Sequence, residues 1–248
     1  MDNKRKKRGK SRYFLIVVII LGVLFFAGNI AKKHLNDLAF FKIKHIQIKG
    51  NKLIDTSYLY DMAAPFIGTS IFDIDLKDIE MRYYAHSRIK EVTIQKSYPA
   101  KIIVNINERK GVFFLRDQGG DFFPIDEERY VLDKADWYID EDLPLVNLGI
   151  PRDQIVLGQK IEDARLDHIY DVYYQIIELD NRLITDISEF YYKDNQLNFI
   201  DIKSGCRIIL TSLNLDKQVE RFLFLRDNQG FKKNSIIDLR FDGQVVVL

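Results

Sequence analysis

Residues 89–109 read IKEVTIQKSYPAKIIVNINER, and this stretch decides the fold of the first half of the chain. A strand runs from about Ile89 to Lys96, Tyr98-Pro99 breaks it, and the run Lys101–Glu108 then alternates cleanly at Ile102, Val104 and Ile106. Period-two alternation marks a strand with one buried face, and two such strands joined by a tight turn make a hairpin. Working back from the hairpin, Asp75 is placed to cap a short helix with Leu76, Ile79 and Tyr83 at helical spacing. Before it, Phe66 to Ser70 reads as a loop, and Asp55 caps an earlier helix that carries Leu59, Met62 and Ala63 on one face. Pro65 ends that helix, because a mid-helix proline removes a backbone donor. The segment opens with Phe41, Ile43, Ile46 and Ile48 in near alternation and turns at Gly50-Asn51; the slip of phase between Ile43 and Ile46 predicts a bulge. One small sheet covered by two helices buries a single apolar layer, which makes an α+β unit.

Upstream lies a different kind of signal. Residues 1–12 carry Lys4, Arg5, Lys6, Lys7, Arg8, Lys10 and Arg12 against Asp2 alone, which is 7 minus 1, or +6; the whole chain has +1, leaving −5 for the remainder. A mildly acidic body has no field to attract a polyanion, which argues against a nucleic-acid role. From Tyr13 to Ala31 the sequence has no charge, and as a helix it would span about 28 Å, enough for a bilayer's hydrocarbon core. A cleaved signal peptide is the rival reading. The length of the apolar run and the absence of an A-x-A-like site favour an uncleaved anchor over residues 13–33. Seven basic residues precede it and only Lys32 and Lys33 follow closely, so the amino terminus is expected in the cytoplasm and residues 34–248 outside it.

Downstream, the rhythm changes. Phe113-Phe114-Leu115 and Phe122-Phe123 flank the polar, glycine-rich Asp117–Asp121, a second hairpin. Ile161–Leu179 and Asn214–Arg226 read as helices, the first with Ile169, Val172, Tyr173, Ile176 and Ile177 on a face, the second with Leu215, Val219, Phe222 and Leu223. Between them Ile187–Tyr192, Leu197–Ile202 and Arg207–Leu210 predict a meander turning at Asp194-Asn195 and Lys203–Gly205. The closing segment Ile236–Leu248 is two strand runs about Asp242-Gly243, and residues 128–160 are assigned to this region by elimination.

Chemistry is hard to find. His34, His45, His86 and His168 are dispersed with no metal-ligand spacing, and the single Cys206 excludes an intrachain disulfide. Asp73-x-Asp75, Asp126-Glu127-Glu128 and Asp140-Glu141-Asp142 could be paired carboxylates or a hard-cation site, but helix caps and solvated loops explain them better. No nucleophile elbow, phosphate loop or dinucleotide fingerprint is present, and Ser204-Gly205-Cys206 is a turn entering a strand. An enzyme is not expected, nor a cofactor, metal or small-molecule substrate.

The order of these elements, with Ile46-x-Ile48-x-Gly50-Asn51, Gly68-x-Ser70-Ile71-Phe72-x-Ile74-Asp75 and Val92-x-Ile94-x-Lys96-x-Tyr98-Pro99 to Glu108-Arg109, resembles a POTRA domain. With the basic tail, the anchor and the terminal Asp238-Leu239-Arg240-Phe241, the chain resembles the FtsQ/DivIB division proteins over nearly its whole length. The resemblance implies an α+β protein with a cytoplasmic tail (1–12), a transmembrane helix (13–33), a linker (34–40), a POTRA domain of β-α-α-β-β order (41–110) and a β-rich domain with flanking helices (111–248). It also implies a membrane scaffold at the division septum, whose last strand and preceding helix dock an FtsB/DivIC-like protein, with an FtsL-like protein as a further partner. By position this implicates Arg240, Phe241, Gly243, Val245, Val246 and Val247, with Phe241 as aromatic anchor and Gly243 allowing close backbone approach. Arg221 and Arg226 would meet acidic residues of the partner. Strand addition to an open edge is the expected mode; burial of the three valines on both faces is the competing one. A POTRA-bearing envelope assembly or secretion factor is the alternative function.

Overall fold

The computed structural model describes residues 7–134 and 142–248, with side chains over 13–28 and from 38 onward. Helix α1 spans Lys7–Asp37, 31 residues. Its large apolar side chains between Tyr13 and Phe26 are all at least half exposed. Among the described residues, no helix is long and apolar enough to cross a membrane.

The compact units are 1–83 with 91–106, and 84–90 with 107–248. In the first, β1 (His45–Lys49), α2 (Thr56–Ala63), α3 (Leu76–Tyr84), β2 (Ile89–Ser97) and β3 (Lys101–Glu108) follow in the expected order. The sheet order is β1-β3-β2, with β1 parallel to β3. The expected caps form: the Asp55 carboxylate accepts from the amides of Ser57 and Tyr58, and Asp75 accepts from Lys77 at 3.0 Å. Pro65 sits in a 3-10 turn, Ala64–Phe66, that closes α2. Leu59, Ala63, Ile79, Tyr83, Ile102 and Val104 are completely buried, and the Tyr83 hydroxyl reaches the core by donating to the Leu59 carbonyl at 2.8 Å. The bulge expected before β1 is instead a break. Residues Ala39–Phe41 form a 3-10 turn, Lys42 bridges to Ser70, and β1 starts only at His45, so the slip of phase is a change of structure.

The second unit is an eight-stranded sheet. It contains β4 (Gly111–Asp117), β5 (Phe122–Asp126), β6 (Leu145–Ile150), β7 (Ile187–Lys193), β8 (Gln196–Asp201), β9 (Cys206–Leu210), β10 (Ile236–Asp238) and β11 (Val246–Val247). Their order is β11-β10-β9-β8-β7-β6-β4-β5, an open sheet with β11 and β5 at its ends. The expected meander is β7-β8-β9, antiparallel throughout. Two connections depart from it. β6 runs parallel to β7 through α4 (Ala164–Leu179) and α5 (Asn181–Ile184), and β9 runs parallel to β10 through α6 (Leu215–Asn228). Strands β6 and β9 point the same way and both crossovers step the same way along the sheet, so a common right-handedness puts α4 and α6 on one face. Leu166, Ile169, Val172 and Ile176 of α4 accordingly share one buried cluster with Leu215, Val219 and Phe222 of α6. The helices form a layer over the sheet.

Candidate functional site

Strand β11 exists because the chain reverses after β10 at Phe241-Asp242-Gly243, and Gly243 takes φ +67 there. A Cβ on Gly243 would meet nothing within 4 Å in this chain, so within the fold the glycine serves the left-handed turn. Val246 pairs with Asp238 and Val247 with Ile237, while Leu248 exchanges two backbone bonds of 2.9 Å with Ile236. In an antiparallel ladder these bonded pairs alternate, so Val246 and Leu248 face β10 and the amide and carbonyl of Val247 point off the sheet. Val245 and Val246 are half-buried, but Val247 is 54% and Leu248 71% exposed. Burial of the strand on both faces is thereby excluded. Among the described residues, β11 is an open edge.

The four residues Asp238-Leu239-Arg240-Phe241 hold that edge in place. Leu239 is buried, and the Arg240 guanidinium forks onto the Asp238 carboxylate through Nε at 2.9 Å and Nη2 at 2.5 Å. This pairing keeps the Asp238 carboxyl below the usual carboxylate range and raises Arg240. Arg221 of α6 donates to the carbonyls of Phe241 at 3.0 Å, Leu239 at 3.3 Å and Lys217 at 3.1 Å, so it fastens the helix to the turn. Phe241 itself is 49% exposed.

Alongside the edge, Glu220, Arg221, Phe224, Leu225, Gly243 and Val245 line a cleft of about 630 Å³. Phe224 is 63% exposed at its rim. Sequence periodicity passed over Phe224 and Leu225 because they lie off the face that buries Val219 and Phe222; an apolar pair on the polar side of an amphipathic helix was the available signal.

Arg226 is not part of this surface. Five residues on from Arg221, it is rotated about 140° around the helix and faces inward. Its guanidinium, only 9% exposed, bonds Asp201 at 2.8 Å and Asp186 at 3.0 Å. Burial opposes its charge, but the two carboxylates outweigh this and hold it above its usual pKa. It is committed inside the chain, which corrects the expectation that it meets a partner.

The carboxylate groups have structural duties. Asp126 and Glu128 are bridged by Arg109 at 2.5 and 2.8 Å, and Lys90 joins Glu127 and Glu128. Asp75 is the cap of α3. Asp140 and Glu141 lie outside the described residues, as do Lys4, Arg5 and Lys6 of the tail. The assembled site is a backbone edge beside an apolar cleft with a charged rim. Such an arrangement can recognise a polypeptide through hydrogen bonds to a strand and a pocket for a side chain.

Comparison with known proteins places these features in a family context. Residues 41–109 match the family described as "POTRA domain, FtsQ-type". The chain is 26% identical over 255 aligned positions to the "Cell division protein DivIB" of Clostridium botulinum (strain Hall), covering 97% of this chain and 93% of that one. It is 25% identical over 216 positions to the DivIB of Clostridium acetobutylicum, with 84% and 83% covered. It is 24% identical over 180 positions to the "Cell division protein FtsQ" of Syntrophotalea carbinolica, with 71% and 60% covered.

Proposed function

The chain belongs to the FtsQ/DivIB family of bacterial cell-division proteins, and on that premise we propose that it is a non-catalytic, single-pass membrane scaffold that binds another division protein by adding its strand to β11. The observation that carries the proposal is the open edge: an outward-facing Val247 backbone next to the cleft under Phe224. The partner on that edge is an FtsB/DivIC-like protein, with an FtsL-like protein in the same assembly. Phe241 and Phe224 are the aromatic anchors, Val245 lines the cleft and Glu220 supplies charge there, while Arg240 holds Asp238 beneath the turn. Arg221 acts by positioning the Phe241 turn. The exposed apolar run Tyr13–Phe26 of α1 supports an anchor in the cell membrane, with the basic tail in the cytoplasm and both folded units outside, at the septum. Confinement to the membrane raises the local concentration of the edge for partners in the same membrane.

The test is binding of the full-length protein in nanodiscs to the carboxy-terminal segment of the organism's DivIC-like protein, comparing wild type with Phe224→Glu. A charge at the rim should weaken binding by about 2 kcal/mol, roughly thirty-fold. Because Phe224 is exposed, folding stability should change by less than about 0.5 kcal/mol. Equal affinity of the two proteins would move the interface away from α6.

A further inference from the structure

Four aromatic rings line up at the end of the first unit where the chain arrives from α1. Phe40 and Phe41 have centroids 5.1 Å apart, Phe41 and Phe72 5.0 Å, and Phe72 and Tyr98 5.6 Å. They come from three separate segments: the 3-10 turn after α1, the loop before α3, and the turn of the β2-β3 hairpin. Backbone bonds lock the three together. Ile71 donates to the Phe41 carbonyl at 2.9 Å, Ile43 to Thr69 at 2.9 Å, and Lys44 to Ala100 at 2.8 Å. The ladder is therefore fixed by the fold, yet Phe40 is 61% exposed and Tyr98 60%, with Leu38 beside them at 50%. Lys42 and Lys44 are exposed on the same segment, and Asp73 and Asp75 are exposed on the loop that carries Phe72.

Rigid aromatic rings bordered by lysines suit the boundary between lipid chains and water: the rings sit at headgroup level and the ammonium groups meet anionic lipid. The chain itself indicates what covers this surface. Phe40 follows the end of α1 by three residues, at most about 10 Å of extended backbone. The headgroup layer is itself about 5 to 8 Å deep on each side of the hydrocarbon. Helix α1 runs six residues, about 9 Å, beyond Ala31, and the three-residue link is long enough to bring the rings back across that distance. We propose that Phe40, Phe41, Phe72 and Tyr98, with Lys42 and Lys44, form a seat on which the first unit rests against anionic lipid headgroups. The inference rests on the reading of α1 as a membrane anchor. It adds a second membrane contact that fixes how the unit is presented, in place of a freely swinging tether.

The full-length protein in vesicles containing phosphatidylglycerol tests this, with lipids brominated high on their acyl chains as quenchers. The chain has one tryptophan, so Tyr98→Trp is read both against the parent protein and in a Trp137→Phe background. The Tyr98→Trp emission should shift to the blue and be quenched, and both effects should be lost with Lys42→Glu and Lys44→Glu together. Leu21→Trp, with lipids brominated deep in the chains, reports on the anchor separately. Quenching of Leu21→Trp with none of Tyr98→Trp would overturn the seat and leave the anchor standing. Absence of both would overturn the anchor and the seat with it.

Discussion

A Cβ at Gly50 would lie 2.2 Å from the Ile106 carbonyl oxygen, and the residue has φ +88. Both the space and the conformation exclude a side chain, because neither the β1-β3 backbone nor the turn can move independently. Gly50→Ala should therefore cost more than about 3 kcal/mol in urea denaturation of the first unit. Asp238 has a consequence of another kind. Its folded-state pKa is depressed by Arg240, so the stability it adds is fully present above the ordinary carboxylate pKa of about 3.9 and is lost as pH falls from there through the lower folded value. Thermal unfolding should thus separate wild type from Asp238→Asn at neutral pH, and the two should converge on acidification toward pH ~3. A gap that stays constant over that range would contradict the pairing. Arg226 is more costly to remove, since Asp186 and Asp201 would be left as buried carboxylates, with the exposed Lys203 paired to Asp186. Arg226→Ala should lose about 3 to 5 kcal/mol, measured by urea denaturation of the second unit.

At the level of elements, the sequence was most readable where local chemistry and periodicity agree. The caps Asp55 and Asp75, the alternation through Ile102, Val104 and Ile106, and the faces of α4 and α6 all use short-range rules, and the structure follows them. Strand β6 was not legible. Val146, Leu148 and Ile150 alternate and are buried, but the run is only six residues long and the strand lies between β4 and β7 with parallel neighbours on both sides. Its identity depends on partners far away in sequence, which periodicity does not encode. The site divides in the same way. The terminal edge followed from chain order, and the motif around Arg240 from resemblance. The roles of Arg226 and Phe224 depend on which way α6 is rolled, and one helix carries both an inward ion network and an outward cleft.

On the scale of the whole molecule, the two units carry different surfaces. The first has an aromatic ladder next to the end of α1, and the second has an open strand edge and a cleft. A scaffold needs separate surfaces of this kind and no reaction centre. The central requirement of the proposed scaffold role is that β11 accept a strand, and Val247 isolates that requirement. Proline there removes the outward amide donor while Val246 and Leu248 keep their bonds to β10, whereas alanine keeps the donor and trims the side chain. Affinity for the DivIC-like segment should fall about ten-fold or more for Val247→Pro and stay within about three-fold of wild type for Val247→Ala. Equal binding by the proline variant, with its fold intact, would contradict strand addition at β11.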